Sequence, residues 1–220
     1  MQHKPIIMSL KKAYFLIFIL LLIDQITKVY VKTHFIYGEI DQIDVTSWFK
    51  ILLIENEGMA WGAQIPGDYG KLFLTVFRIF AVCGIAYWLW DAVKKQSSKF
   101  LIVAIALIFA GALGNIIDSV FYGILFNDSY HAPAQLFAEN PYGTLFHGKV
   151  VDMLYFPLFE GNFPEWMPVV GGDHFKFFNA IFNIADVAIS TGVGVLIVFN
   201  KKAFGHTKTK QEEETTEADS

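Results

Sequence analysis

The chain has 220 residues, of which 54% are hydrophobic and 22 are phenylalanine, and its mean hydropathy is +0.43. Ordinary soluble domains do not have this balance, which is that of a membrane protein. The net charge of −4 is small and sits mostly in the terminal "QEEETTEADS", and no basic block interleaved with aromatics points to nucleic acid. A single cysteine, Cys83, lies in an apolar run, which excludes an intrachain disulfide and a cysteine-based metal cluster.

Four apolar segments are long enough to cross a bilayer as helices, which takes about 20 residues. In chain order they are about Ala13–Val31, Leu72–Ala92, Phe100–Tyr122 and Ala180–Phe199. The first follows a basic region, as a signal peptide would, but no small-x-small cleavage site follows it and Asp24 and Lys28 interrupt its end. It therefore reads as an uncleaved span. Between spans one and two, residues 32–71 contain "TSWFKILLIENEGMAWG", β-branched and aromatic residues followed by a turn at Glu57-Gly58, which predicts a small sheet. Between spans three and four, residues 123–179 hold most of the prolines and many aromatics, predicting a second subdomain lying partly against the membrane surface. The expected fold is thus mainly α, four transmembrane helices in a single domain over residues 1–200, with a β-rich outer subdomain and an extended outer loop. A polar tail, 201–220, is expected to be disordered.

Lysines set the orientation. Lys4, Lys11 and Lys12 precede span one, Lys94, Lys95 and Lys99 lie between spans two and three, and Lys201, Lys202, Lys208 and Lys210 follow span four. With four spans these regions share one side, which the positive-inside rule makes the cytoplasm. Both termini are expected there, and the two longer connections outside.

Polar groups interrupt the apolar spans in a pattern. "GNIID" places Asn115 and Asp118 three residues apart near the outer end of span three, Asp118 lying about 27 Å along from Phe100. "FNIAD" places Asn183 and Asp186 three residues apart near the outer end of span four. The spans run in opposite directions, so the two N-x-x-D elements reach similar depth, each with Asn and Asp on one helical face. Polar groups at such depth face the bundle interior or a cavity. Asp24 falls at comparable depth in span one, with Lys28 one turn on, so that a helix-end ion pair and a site role are both open. The small residues of "AGALGN", Gly114 among them, let span three approach a neighbour closely. A fourth acid, Asp152, sits among apolar neighbours in "GKVVDMLYF" and can reach the cluster from the outer connection.

Two carboxylates in a partly desolvated site hold one proton between them. The ionised member can activate water and the other can protonate a leaving amine, the chemistry of aspartic peptide hydrolysis. The alternative is a structural hydrogen-bond network. Arg78, about two turns into span two, is expected to snorkel to the outer interface. His131, His147 and His174 have no partner histidine at ligand spacing, so no metal site is read. A small transporter or proton channel also uses buried acids, but no polar positions continue toward the cytoplasm along spans three and four. Prepilin-type peptidases are disfavoured by the absence of their G-x-G-D signature.

Five blocks in order, spread over nearly the whole chain, resemble the bacterial lipoprotein signal peptidases, the signal peptidase II family of intramembrane aspartyl peptidases. "DQITK" (Asp24–Lys28) is similar to the family's first block. "NEGMAWG" (Asn56–Gly62) resembles N-x-G-x-A-F-G, with Trp61 at the Phe position. "GALGNIIDS" (Gly111–Ser119) resembles G-A-x-G-N-x-x-D-R, "VVDMLYF" (Val151–Phe156) resembles V-V-D-F, and "FNIAD" resembles F-N-x-A-D. The resemblance implies Asp152 and Asp186 as the catalytic pair. It implies Asp24, Lys28, Asn56, Gly58, Gly114, Asn115, Asp118 and Asn183 as residues that bind substrate or shape the site. It further implies a prolipoprotein substrate bearing diacylglyceryl on its cysteine, cleavage just before that cysteine, residence in the cytoplasmic (inner) membrane with the site near the outer face, contact with membrane lipid, inhibition by globomycin-type peptides, and no metal or organic cofactor. Two departures stand out. Ser119 occupies the position of the family's Arg, and Asp118 and Asp152 lie 34 positions apart, leaving an extra segment of roughly 124–148.

Overall fold

The computed structural model describes residues 8–58, 69–177 and 180–205. In chain order the elements are α1 (Leu10–His34), β1 (Gly38–Thr46), β2 (Phe49–Asn56), α2 (Gly70–Lys94), α3 (Lys99–Ile117), a π-helical turn (Asp118–Tyr122), α4 (Gly123–Leu125), β3 (Val150–Tyr155), β4 (Phe159–Asn162), β5 (His174–Phe177), β6 (Ile181–Phe182) and α5 (Ile184–Val198). Among the described residues three helical runs are long and apolar enough to cross a membrane: α1, α2 and Lys99–Leu125. The fourth expected span is shorter. Residues 181–182 are extended, α5 has 15 residues, and helix resumes over 200–205 after a turn at Phe199. Fifteen residues rise about 22 Å, less than the hydrocarbon core of about 30 Å. The expected disordered tail is therefore helical at its start, and residues 206–220 lie outside the described residues, as do residues 59–62 of the "NEGMAWG" block.

The chain divides into two compact units, and α1 contributes to both. The first unit takes α1 up to Ile26, Leu72–Ile117, and the chain from Ile184. Its core is aliphatic and small: Ala13 and Ile17 of α1, Leu89 and Ala92 of α2, Ile102, Ile105 and Ala106 of α3. Helices α3 and α5 pack backbone against backbone because each offers a glycine. A Cβ on Gly111 would strike the Ala185 carbonyl, and one on Gly192 would lie 2.7 Å from the Ala104 carbonyl. Association through small residues is how helices pack without a hydrophobic drive between them. The outward positions are large and apolar, with Phe15, Phe18, Phe73, Phe77 and Phe80 all exposed. In water such a surface would aggregate, whereas in lipid it is the solvated face.

The second unit takes Thr27–Lys71 and Asp118–Asn183. Its four-stranded antiparallel sheet has the order β1-β2-β3-β6, with β4 and β5 forming a separate pair. The sheet expected from residues 32–71 alone thus recruits β3 from the later connection, which does not stand apart as its own subdomain, and β6 from the start of the expected fourth span. Register sets Ile54 opposite Asp152 and Asn56 opposite Val150. Val31, Phe35, Leu53, Tyr122, Phe126, Val151 and Met153 close the core. The π-helical turn explains why the third span does not continue as regular α-helix to Tyr122. Widening the turn frees backbone carbonyls. The Val120 carbonyl accepts from Phe146 N–H (3.0 Å) and that of Ser119 from Gly148 N–H (2.9 Å), so the extra segment is stitched back along the turn. Its middle is held too. Ala134 N–H donates to the Lys32 carbonyl at 2.9 Å, and the Lys32 ammonium, buried with Glu55 and Ser129, lies 4.9 Å from the centre of the Tyr142 ring.

Candidate active site

In the second unit the chemistry gathers around β3. Asp152 is buried, 6% exposed, on a strand whose neighbours Val150, Val151 and Met153 are also buried. Two side-chain amides grip its carboxylate. Asn56 Nδ2, at the end of β2, donates to Oδ2, and Asn183 Nδ2, just after β6, donates to Oδ1 at 2.7 Å. The Asn183 amide is also 3.2 Å from the Val151 carbonyl. Asn56 is itself oriented, because its Oδ1 accepts the N–H of Gly58, whose φ of +94° is one that a side chain would oppose. The spacing N-x-G therefore has a local cause: a left-handed glycine turns the backbone donor onto the asparagine and leaves its NH2 for the acid.

Asp118 does something different. It is fully buried and pairs with fully buried Lys28 at 2.8 Å, while its Oδ2 accepts Val151 N–H at 3.2 Å. A buried ion pair with a backbone contact fixes structure. Here it anchors the strand one residue before Asp152.

In the first unit Asp186 lies in the first turn of α5, half-buried, and accepts from Asn115 Nδ2 at 2.9 Å on Oδ1. Asp24, 2% exposed, accepts the Ala185 N–H at 2.9 Å, an uncapped donor at the start of α5. Gly114 makes room for this carboxylate, since a Cβ there would sit 2.7 Å from Asp24 Oδ2. Gln25 donates to the Gly114 carbonyl at 3.3 Å.

Every predicted site residue is thus engaged within its own unit: Lys28, Asn56, Gly58, Asp118, Asp152 and Asn183 in one, Asp24, Gly114, Asn115 and Asp186 in the other. The amides cross between the motifs. Asn115 of the first N-x-x-D serves the aspartate of the second, and Asn183 of the second serves Asp152. One feature the sequence reading does not include is Lys32, and one expectation, for Arg78, is corrected. Lys32 is buried on the face of α1 that carries Asp24 and Lys28, and the i, i+4, i+8 spacing of the three is the signal that could have found it. Arg78 does not send its whole head to an interface: Nη1 is buried with no hydrogen-bond partner among the described residues.

Long apolar helices with an outward aromatic surface define a multi-pass membrane protein. The model of the signal peptidase (SPase) II family matches residues 16–201, and the chain belongs to this family of peptidases. It is 46% identical over 185 residues to the lipoprotein signal peptidase of Porphyromonas gingivalis, covering 83% of this chain and 80% of that one. With the lipoprotein signal peptidase of Amoebophilus asiaticus the identity is 39% over 212 residues, covering 95% and 85%. A solved bacterial membrane enzyme superposes with a TM-score of 0.59 at 26% identity, covering 91% of this chain and 99% of that one.

Proposed function

We propose that the chain removes signal peptides from prolipoproteins whose cysteine bears diacylglyceryl, cutting just before that cysteine, with Asp152 and Asp186 as the acid pair. The observation that carries this reading is the amide grip on both oxygens of Asp152. Neutral amides orient a carboxylate without neutralising it, which leaves it able to take or give a proton. Asp186 is held the same way by Asn115, and Asn183, which holds Asp152, precedes Asp186 by three residues.

In the proposed reaction one acid is ionised and the other protonated. The ionised acid takes a proton from water as the water oxygen attacks the scissile carbonyl carbon. The protonated acid hydrogen-bonds the carbonyl oxygen as the tetrahedral adduct forms. Collapse breaks the C–N bond, the departing nitrogen receives a proton from the pair, and the products are the signal peptide carboxylate and a free cysteine α-amine. Asp118 and Lys28 hold β3, and Asp24 holds the start of α5.

We further propose four spans, α5 with its helical continuation being the fourth, with both termini on the cytoplasmic side of the inner membrane and the acids toward the outer side. The lysine clusters support this orientation. Globomycin-type peptides are expected to bind. The test is incubation of the purified protein with a diacylglyceryl-modified prolipoprotein, with and without globomycin, alongside the unmodified precursor. Release of signal peptide from the modified substrate alone, blocked by globomycin, is the expected result. Equal cleavage of the unmodified precursor refutes the lipid requirement, and no cleavage of either refutes the assignment.

A further inference from the structure

Within the first unit a cavity of about 140 Å³ opens between α2, α3 and α5. Arg78, Ala81 and Ile85 line it from one face of α2, Ala112 and Asn115 from α3, and Ile189 from α5. Its walls are otherwise aliphatic. Arg78 brings a permanent cation with five donors, and its Nη1 is buried with no acceptor among the described residues. A buried donor without an acceptor is costly, and a native structure that keeps one keeps it for a reason. Ala81 and Ala112 leave room beside the Arg78 side chain.

The occupant must supply an oxygen acceptor amid apolar surface. An anion such as phosphate is disfavoured, because the Asp186 carboxylate lies within electrostatic reach of Arg78 and Asn115 bonds that same carboxylate. A peptide strand would bring an N–H as well as a C=O at each residue, and the aliphatic walls offer those donors nothing. An ester carbonyl is acceptor-only, carries no net charge and is flanked by methylenes. We infer that Arg78 is a substrate-positioning residue that hydrogen-bonds an acyl ester carbonyl of the diacylglyceryl group, with the acyl chain along the aliphatic wall beside Asn115 and Asp186. This rests on the proposed prolipoprotein substrate and extends it to the lipid's linkage chemistry.

The experiment compares two synthetic substrates of one peptide sequence. One carries diacylglyceryl on its cysteine, and the other carries a dialkyl ether of equal chain length, which lacks both carbonyls. For the unmodified enzyme KM should rise about tenfold or more on the ether, the size of one hydrogen bond to a charged group, with kcat within about twofold. Arg78→Met should show the raised KM on the diacyl substrate and no further rise on the ether. Its melting temperature in detergent should fall little, because Nη1 gives up no hydrogen bond and only the through-space attraction to Asp186 is lost. Equal KM on ester and ether by the unmodified enzyme overturns the inference without recourse to any variant. So does an Arg78→Met defect of the same size on both substrates, which assigns the contact to peptide, or an Arg78→Met protein that does not fold, which makes Arg78 structural. If the unmodified enzyme cleaves neither substrate, the peptidase assignment itself fails, a result distinct from all of these.

Discussion

Asp152 and Asp118 are both buried acids of the same unit, and their surroundings differ in kind. Asp118 faces a lysine ammonium, and Asp152 faces two carboxamides. An ammonium locks a carboxylate as a charge, since protonating the acid would leave the lysine buried and unpaired. Carboxamides only orient it. On the proposed mechanism two acids equally hidden from water divide into a fastener and a reagent, with Asp186, which accepts from Asn115 and also feels the Arg78 guanidinium, on the reagent side.

The largest test of that division is chemical. Asp152→Asn and Asp186→Asn should each lower kcat by about 10³-fold or more, because an amide neither takes the water proton nor gives one. The double variant should be little worse than either single one, as groups acting as a unit are not additive. Cleavage rate per folded protein decides it, and substantial activity in either single variant would place Asp152 and Asp186 beside Asp118 as structural.

Breaking the fastener should instead cost stability. Lys28→Met strands a buried carboxylate and should destabilise the fold by about 3–5 kcal/mol, whereas Lys28→Met with Asp118→Leu should recover much of that loss. Thermal melts of the three proteins read this out. Asp118→Asn alone should keep measurable activity, and complete inactivity in a folded protein would make Asp118 a reagent after all.

Packing is expected to matter somewhat less. Gly111→Val drives a side chain into the Ala185 carbonyl and the Ile189 side chain, and should cost about 1–3 kcal/mol through overpacking. The smallest expected effect sharpens the role of the amides. Gly58→Ala strains a φ of +94° by about 1–2 kcal/mol and loosens the N–H that orients Asn56. Turnover should fall more than substrate affinity. A rise in KM at constant kcat would show that this turn binds substrate rather than aiming Asp152.

Much of this was legible in the chain. Apolar runs set the three long helices, because backbone in lipid must satisfy its own hydrogen bonds. Acids and amides in those runs marked the site, because only a specific need keeps polar groups there. The spacing also puts Asp24 and Lys28 on one face of α1, and Lys32 completes that stripe. What periodicity could not reveal is which partner each polar group takes. Each N-x-x-D reads as a local pair at i and i+3, yet Asn115 bonds Asp186 and Asn183 bonds Asp152. Helical spacing fixes only the face on which a side chain stands. The hydrogen bond it makes is decided by the element packed against that face, and so Lys28 with Asp118, Asn56 with Asp152 and the cavity that Arg78 lines came from tertiary structure alone.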